Sequence, residues 1–135
     1  MDRPILLVVD DDPDIRKAVS LLFGTEYDVV EARDGRTALE AYEERSPRVV
    51  LMDISMPGMD GIEALRRLKA DHPAASVVML TGETDLRTAQ QALEAGARTY
   101  ITKPIDFEVL RAEVKRLMDS VPSPRGDGQT PWRVG

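Results

Sequence analysis

The chain has no cysteine in its 135 residues and one histidine, His72. Disulfides, thiolate metal sites and thiol catalysis are excluded, and a histidine-built zinc site or catalytic triad has almost nothing to start from. Long apolar runs are missing too. The longest early run, Ile5 to Val9, falls short of the roughly 7–15 residues of a signal-peptide core and the about 20 of a membrane helix. The expectation is a soluble cytoplasmic protein without membrane contact. Positive charge is also in short supply. Eighteen basic against twenty-four acidic residues leave a net charge of −6, which argues against this segment gripping nucleic acid or an anionic membrane. What is present, 42 % apolar and 31 % charged residues, is the composition of a globular chain. The length fits one domain of about 100–150 residues.

Short apolar runs alternate with segments of helical period. The runs are Ile5–Val9, Tyr27–Ala32, Val49–Met52, Val77–Leu80 and Thr99–Thr102. They are short and rich in β-branched residues, as buried strands are. Between them, Ile15, Val19 and Leu22 share one face, as do Ile62, Leu65 and Leu68; a last stripe holds Phe107, Leu110, Val114 and Leu117. Asp12 and Asp34 read as helix N-caps, with Pro13 at N1; Gly24 reads as a C′ stop, and Gly96 closes the fourth helix. Ser46-Pro47 and His72-Pro73 end helices, because the residue before proline leaves the α region.

Five such βα units imply a doubly wound α/β fold, a parallel sheet with helices on both faces. The first, third and fourth runs are almost wholly apolar and belong in the centre. The second and fifth carry Asp28, Glu31, Thr99 and Thr102 and belong at the edges. The order 2-1-3-4-5 satisfies both conditions, whereas 3-2-1-4-5 would put the apolar third run on an edge. The domain is expected over residues 1–119. Residues 120–135, with three prolines and three glycines from Pro122 to Gly135, read as a flexible tail or linker. Trp132 within it reads as a sticky linker residue in preference to a small docking element.

Polar residues gather at the carboxyl ends of the runs: Asp10-Asp11-Asp12 after the first, Asp53 after the third, Thr81-Gly82 after the fourth and Thr102-Lys103-Pro104 after the fifth. Ligands bind at that end of open parallel sheets, where strand order reverses. In the order 2-1-3-4-5, Asp10, Asp11 and Asp53 lie on strands about 4.8 Å apart. Carboxylates so close need a proton or a cation, and an oxygen-only set suits Mg²⁺. Lys103 supplies a point charge for a phosphate oxygen, and Thr81 supplies a hydroxyl. The set suits phosphoryl transfer, which is mostly positioning and charge neutralisation. Asp53, alone at a central strand end, is the best candidate nucleophile.

The stretches Ile5–Asp12, Leu51–Gly61, Leu80-Thr81-Gly82 and Gly96–Pro104, in this order and spacing, resemble the response-regulator receiver domains of two-component signalling. The resemblance covers residues 3 to about 119. It implies that Asp53 is the phosphoacceptor for a phosphohistidine on a histidine kinase or phosphotransfer protein. It implies that Asp11 binds Mg²⁺ directly, that Asp10 holds one of its waters, and that Asp53 and the Ser55 backbone carbonyl complete the shell. Lys103 would pair with a phosphoryl oxygen and Thr81 would move to bond another. Tyr100 would swing inward behind it, reshaping the surface of the fourth helix, fifth strand and fifth helix. Lys103-Pro104 would be a cis peptide, which only proline makes common. The implied protein is a regulator rather than an enzyme, assisting only its own phosphorylation and dephosphorylation. It would act on a downstream effector protein or on a C-terminal output domain missing from this sequence, and a phosphorylation-dependent homodimer is a further expected form. Ser55 and Glu83 lie where receiver domains vary widely.

Other functions fit less well. A phosphohydrolase of the haloacid-dehalogenase type needs a second aspartate two residues after its nucleophile, and Ser55 stands there. An FMN-binding module would meet three aspartates where it needs a phosphate loop. No G-x-G-x-x-G is present for a dinucleotide. An EF-hand starting at Asp10 is spoiled by Ile15 at the glycine position. A degenerate receiver that never takes phosphate is disfavoured by the intact acidic, threonine and lysine positions.

Overall fold

The computed structural model describes residues 3–56, 58–82 and 86–120; Pro57, Glu83 and the tail from Val121 through Trp132 to Gly135 lie outside them. Ten elements alternate: β1 (Ile5–Val9), α1 (Pro13–Phe23), β2 (Asp28–Ala32), α2 (Gly35–Arg45), β3 (Val49–Asp53), α3 (Gly61–Asp71), β4 (Val77–Thr81), α4 (Leu86–Glu94), β5 (Thr99–Thr102) and α5 (Phe107–Ser120). The strands form one parallel sheet in the order β2-β1-β3-β4-β5. This is the doubly wound order that the polarity of the runs favours over 3-2-1-4-5. β1, β3 and β4 are buried almost throughout, while β2 and β5 keep partly exposed positions.

Alternation along the strands divides the core between two faces. Leu7, Val9, Val50, Met52, Val77 and Met79 pack with residues of α2, α3 and α4, among them Tyr42, Leu65, Leu68 and Ala92. Leu6, Val8, Val49, Leu51, Val78 and Leu80 pack with α1 and α5 through Val19, Phe23, Leu110, Val114 and Leu117. Each such side chain, fully buried, contributes roughly 1.5–3 kcal/mol relative to exposure. No helix among the described residues is long and apolar enough to cross a membrane.

The caps at Asp12 and Asp34 form as expected. Asp12 accepts from the Asp14 amide with Pro13 at the first helical position, and Asp34 closes a capping box with Thr37. Several local expectations shift. Gly24 ends α1 in right-handed rather than left-handed geometry. Ser46 escapes the clash with Pro47 by entering the left-handed region, at φ 49°, instead of extending. Tyr27 stands outside β2 with its amide bonded back to the Phe23 carbonyl. Phe107 lies on the azimuth of the α5 stripe but is 38 % exposed. It is the first residue of the helix, a turn beyond Leu110, and Met118 takes the fourth buried place. α5 runs through Ser120, one residue into the expected tail. His72 ends α3, with its Nε2 2.6 Å from Glu43 Oε1 and its ring 4.7 Å from that of Tyr42.

Candidate phosphoacceptor site

The ladder register delivers the site. Val9 pairs with Met52 across β1 and β3, so Asp10 and Asp53 leave adjacent strands at the same level. Thr81 pairs with Thr102 across β4 and β5, which puts Lys103 one residue further on. Carboxylate oxygens of Asp10, Asp11 and Asp53 all lie within 4.8 Å of one another. Asp10 and Asp53 are buried and Asp11 is exposed, so the cluster opens to solvent on one side. The Lys103 ammonium reaches back to Asp10 Oδ2 at 3.1 Å and Asp53 Oδ1 at 3.4 Å. The Lys103-Pro104 peptide is cis.

The electrostatics follow from burial. Asp53 holds its proton above the ordinary carboxylate range, first because it is desolvated and then because Asp10 is beside it; Lys103 and the Ser55 amide pull the other way. For Lys103, burial opposes the charged form. The hydrogen bond to Asp10 and the charges of Asp53 and Asp10 outweigh it, and the ammonium is held above the ordinary lysine range. Three carboxylates against one ammonium leave an excess of negative charge facing solvent. That all-oxygen donor set is what a hard divalent cation takes.

The site residues expected from the sequence all fall among the described residues. Thr81 is buried at the last position of β4, and its carbonyl accepts from the Lys103 amide at 2.7 Å. The Ser55 amide donates to Asp53 Oδ1 at 3.4 Å. Tyr100 is partly buried on β5, against the core face that holds Met79. It also borders a shallow cavity of about 290 Å³ with Pro104 and Val109. Asp12 and Asp34 stay with their helix caps.

Two residues escaped the sequence reading. Arg16 donates to the Asp10 backbone carbonyl at 2.7 Å. Gly61 opens α3 with its amide 2.8 Å from the Ile54 carbonyl. A β-carbon on Gly61 would fall 2.2 Å from the Asp53 carbonyl oxygen, so glycine alone lets the helix start this close to the strand end.

Comparison with known proteins agrees with this geometry. The pattern of the response regulator receiver domain matches residues 6–115. The chain is 38 % identical over 114 residues to the regulatory protein AtoC of Escherichia coli (strain K12), covering 84 % of this chain and 25 % of that protein. It is 36 % identical over 114 residues to sporulation initiation phosphotransferase F of Bacillus subtilis (strain 168), covering 84 % of this chain and 92 % of that one. It thus spans about a quarter of AtoC and nearly all of the second relative. A CheY-like receiver domain protein from Methanospirillum hungatei JF-1 superimposes with a TM-score of 0.83 at 30 % identity, over 87 % of this chain and 95 % of that one. With strand order, acidic cluster and family pattern in agreement, the chain belongs to the response regulator receiver domains.

Proposed function

We propose that the protein is a phosphoacceptor switch that takes a phosphoryl group onto Asp53 with the help of Mg²⁺. The observation that carries this reading is the convergence of Asp10, Asp11 and Asp53 within 4.8 Å beside the Lys103 ammonium. Asp11, Asp53 and the Ser55 carbonyl would hold the cation, with Asp10 holding one of its waters. When bound, the cation offsets negative charge on the carboxylates and on the incoming phosphoryl oxygens.

The chain's own groups do the rest. An Asp53 carboxylate oxygen attacks phosphorus. The new P–O bond forms as the P–N bond to the donor imidazole breaks, and the imidazole nitrogen leaves with the bond's electron pair and takes up a proton. Lys103 stays ionised and turns from the carboxylates toward a phosphoryl oxygen. Thr81, at the neighbouring strand end, offers its hydroxyl to another. The added charge of about −2 and its acceptor oxygens favour the conformation in which the β4 end closes on them. Tyr100 then moves inward, which alters the α4–β5–α5 surface.

The donor is a histidine kinase or phosphotransfer protein, and the site is cytoplasmic. The reader is an effector protein or a C-terminal output domain outside these 135 residues, and a phosphorylated homodimer is one form the output can take. The reaction modifies the protein itself, so the protein is a regulator and not an enzyme acting on other substrates.

Incubation with a small phosphodonor and Mg²⁺, followed by intact mass and sizing chromatography, tests this. The wild-type chain should gain one phosphoryl group and Asp53→Ala none; equal labelling of the variant would rule out this nucleophile. Asp11→Ala should keep the fold and lose Mg²⁺ affinity in a titration.

A further inference from the structure

Asp10 is held at every polar atom. Its amide donates to the Ala32 carbonyl at 3.1 Å, its Oδ1 accepts from the Asp12 amide at 2.9 Å, and its Oδ2 accepts from Lys103 at 3.1 Å. The remaining acceptor, its backbone carbonyl, takes the 2.7 Å bond from Arg16 Nη1. Arg16 is itself fixed. Its Nε donates to Glu31 Oε1 at 3.1 Å, and Ser20 Oγ donates to Glu31 Oε2 at 3.0 Å. The Arg16 side chain is 19 % exposed, far less than the outer helix arginines Arg36 and Arg67, at 73 % and 60 %. Glu31 stands beside Val8 in the β1–β2 ladder. The chain of bonds therefore runs from an edge strand through α1 to the turn that carries the aspartates.

The geometry of the peptide gives this chain of bonds a consequence. The carbonyl oxygen of Asp10 shares one plane with the nitrogen and Cα of Asp11. A short charge-assisted bond to that oxygen sets the direction in which Asp11 leaves the strand. We infer that Arg16 is a positioning residue for the cation site: it orients the Asp10–Asp11 peptide so that the Asp11 carboxylate meets those of Asp10 and Asp53. The inference rests on the Mg²⁺-dependent reading above and extends it to a residue outside the carboxylate cluster.

A role through charge alone has the opposite sign. Arg16 is a cation close to a cation site. Its removal takes away repulsion and leaves the Glu31 charge without its cation, and both changes would tighten Mg²⁺ binding. Loss of positioning weakens it instead. Lysine separates the two effects further, because it keeps the charge but lacks the planar fork that bonds a carbonyl and a carboxylate together.

The experiment is calorimetric titration of the full chain with MgCl₂, for wild type, Arg16→Ala, Arg16→Lys and Glu31→Gln, with thermal melts and amide exchange on the same samples. Arg16→Ala and Arg16→Lys should each weaken Mg²⁺ binding by about 10-fold, the low end for groups that orient metal ligands. The Asp12 amide should exchange faster in both. Glu31→Gln, which still accepts from Arg16, should lose less. Wild-type or tighter affinity in either arginine variant, in a chain that melts cooperatively, overturns the inference. If Arg16→Ala fails to fold, Arg16→Lys and Glu31→Gln decide. Absence of Mg²⁺ binding by the wild type overturns the phosphoacceptor reading and this inference together. Binding by the wild type with unchanged variants overturns this inference alone.

Discussion

Two lysines mark the two ends of the sheet. Lys103, at the carboxyl end, faces the Asp10 and Asp53 carboxylates and is held above the ordinary lysine range despite its burial. Lys69, at the opposite end, donates to the Pro73 and Ala75 carbonyls at 2.6 and 2.9 Å. Burial, then Arg98, hold it below that range. Other cations at the amino end bond mainly to backbone. Arg3 bonds the Gly24, Thr25 and Tyr27 carbonyls, with Asp28 Oδ1 at 3.1 Å as a half-exposed carboxylate partner, and Arg48 bonds the Met118 carbonyl of α5. Carbonyls do not change charge, so those contacts only tie neighbouring segments together. At the carboxyl end the cation meets buried carboxylates, whose charge can change, and under the function proposed above its allegiance changes with it.

The comparison breaks most directly at Lys103. Lys103→Met leaves Asp10 and Asp53 buried without their ammonium. It should cost about 2–3 kcal/mol at neutral pH without divalent cation, as read by urea denaturation, with part recovered on adding Mg²⁺. A loss no larger than that of Lys69→Met would erase the distinction between the two ends.

Asp53→Asn should go the other way, stabilising the metal-free chain by about 1 kcal/mol at neutral pH. The sign follows from linkage. Asp53 binds its proton more tightly folded than unfolded, so stability falls as pH rises from the ordinary carboxyl range through the folded pKa. The advantage of asparagine should therefore shrink in acid. Denaturation series at acidic and neutral pH showing the same gap would contradict it. Lys69→Met should cost about 1 kcal/mol, with no response to Mg²⁺ in the same melts. The smallest effect belongs to Ser76, also at the amino end. Its buried hydroxyl has no partner among the described residues, so Ser76→Ala should change stability by about 0.5 kcal/mol or less, in the stabilising direction, in a urea series.

Much of this polarity can be read from the sequence. Asp28, Glu31, Thr99 and Thr102 identify the edge strands, which selects 2-1-3-4-5 over 3-2-1-4-5 between the doubly wound orders. The order brings Asp10, Asp11 and Asp53 together because each follows an apolar run. Residues whose meaning depends on pairing across elements were not legible. Glu31 reads as edge polarity until the Val8–Glu31 register sets it beside Arg16. Gly61 is one residue of a matched stretch until β3 and α3 converge on it. Phe107 has the right azimuth, but where the core stops along a helix is a tertiary fact. The left-handed turn at Ser46 depends on how α2 meets β3.

The close approach of Gly61 to the Asp53 carbonyl leaves little slack behind the proposed acceptor. If Asp53 takes a phosphoryl group, its strand has no room to recoil from the bulky dianion, because the third helix already abuts it like a doorstop. Displacement must then be taken up across the site, where β4 and β5 end. Amide shifts on phosphorylation should accordingly be larger at Thr81 and Lys103 than at Gly61, and a methyl group at Gly61 would drive a wedge into that doorstop.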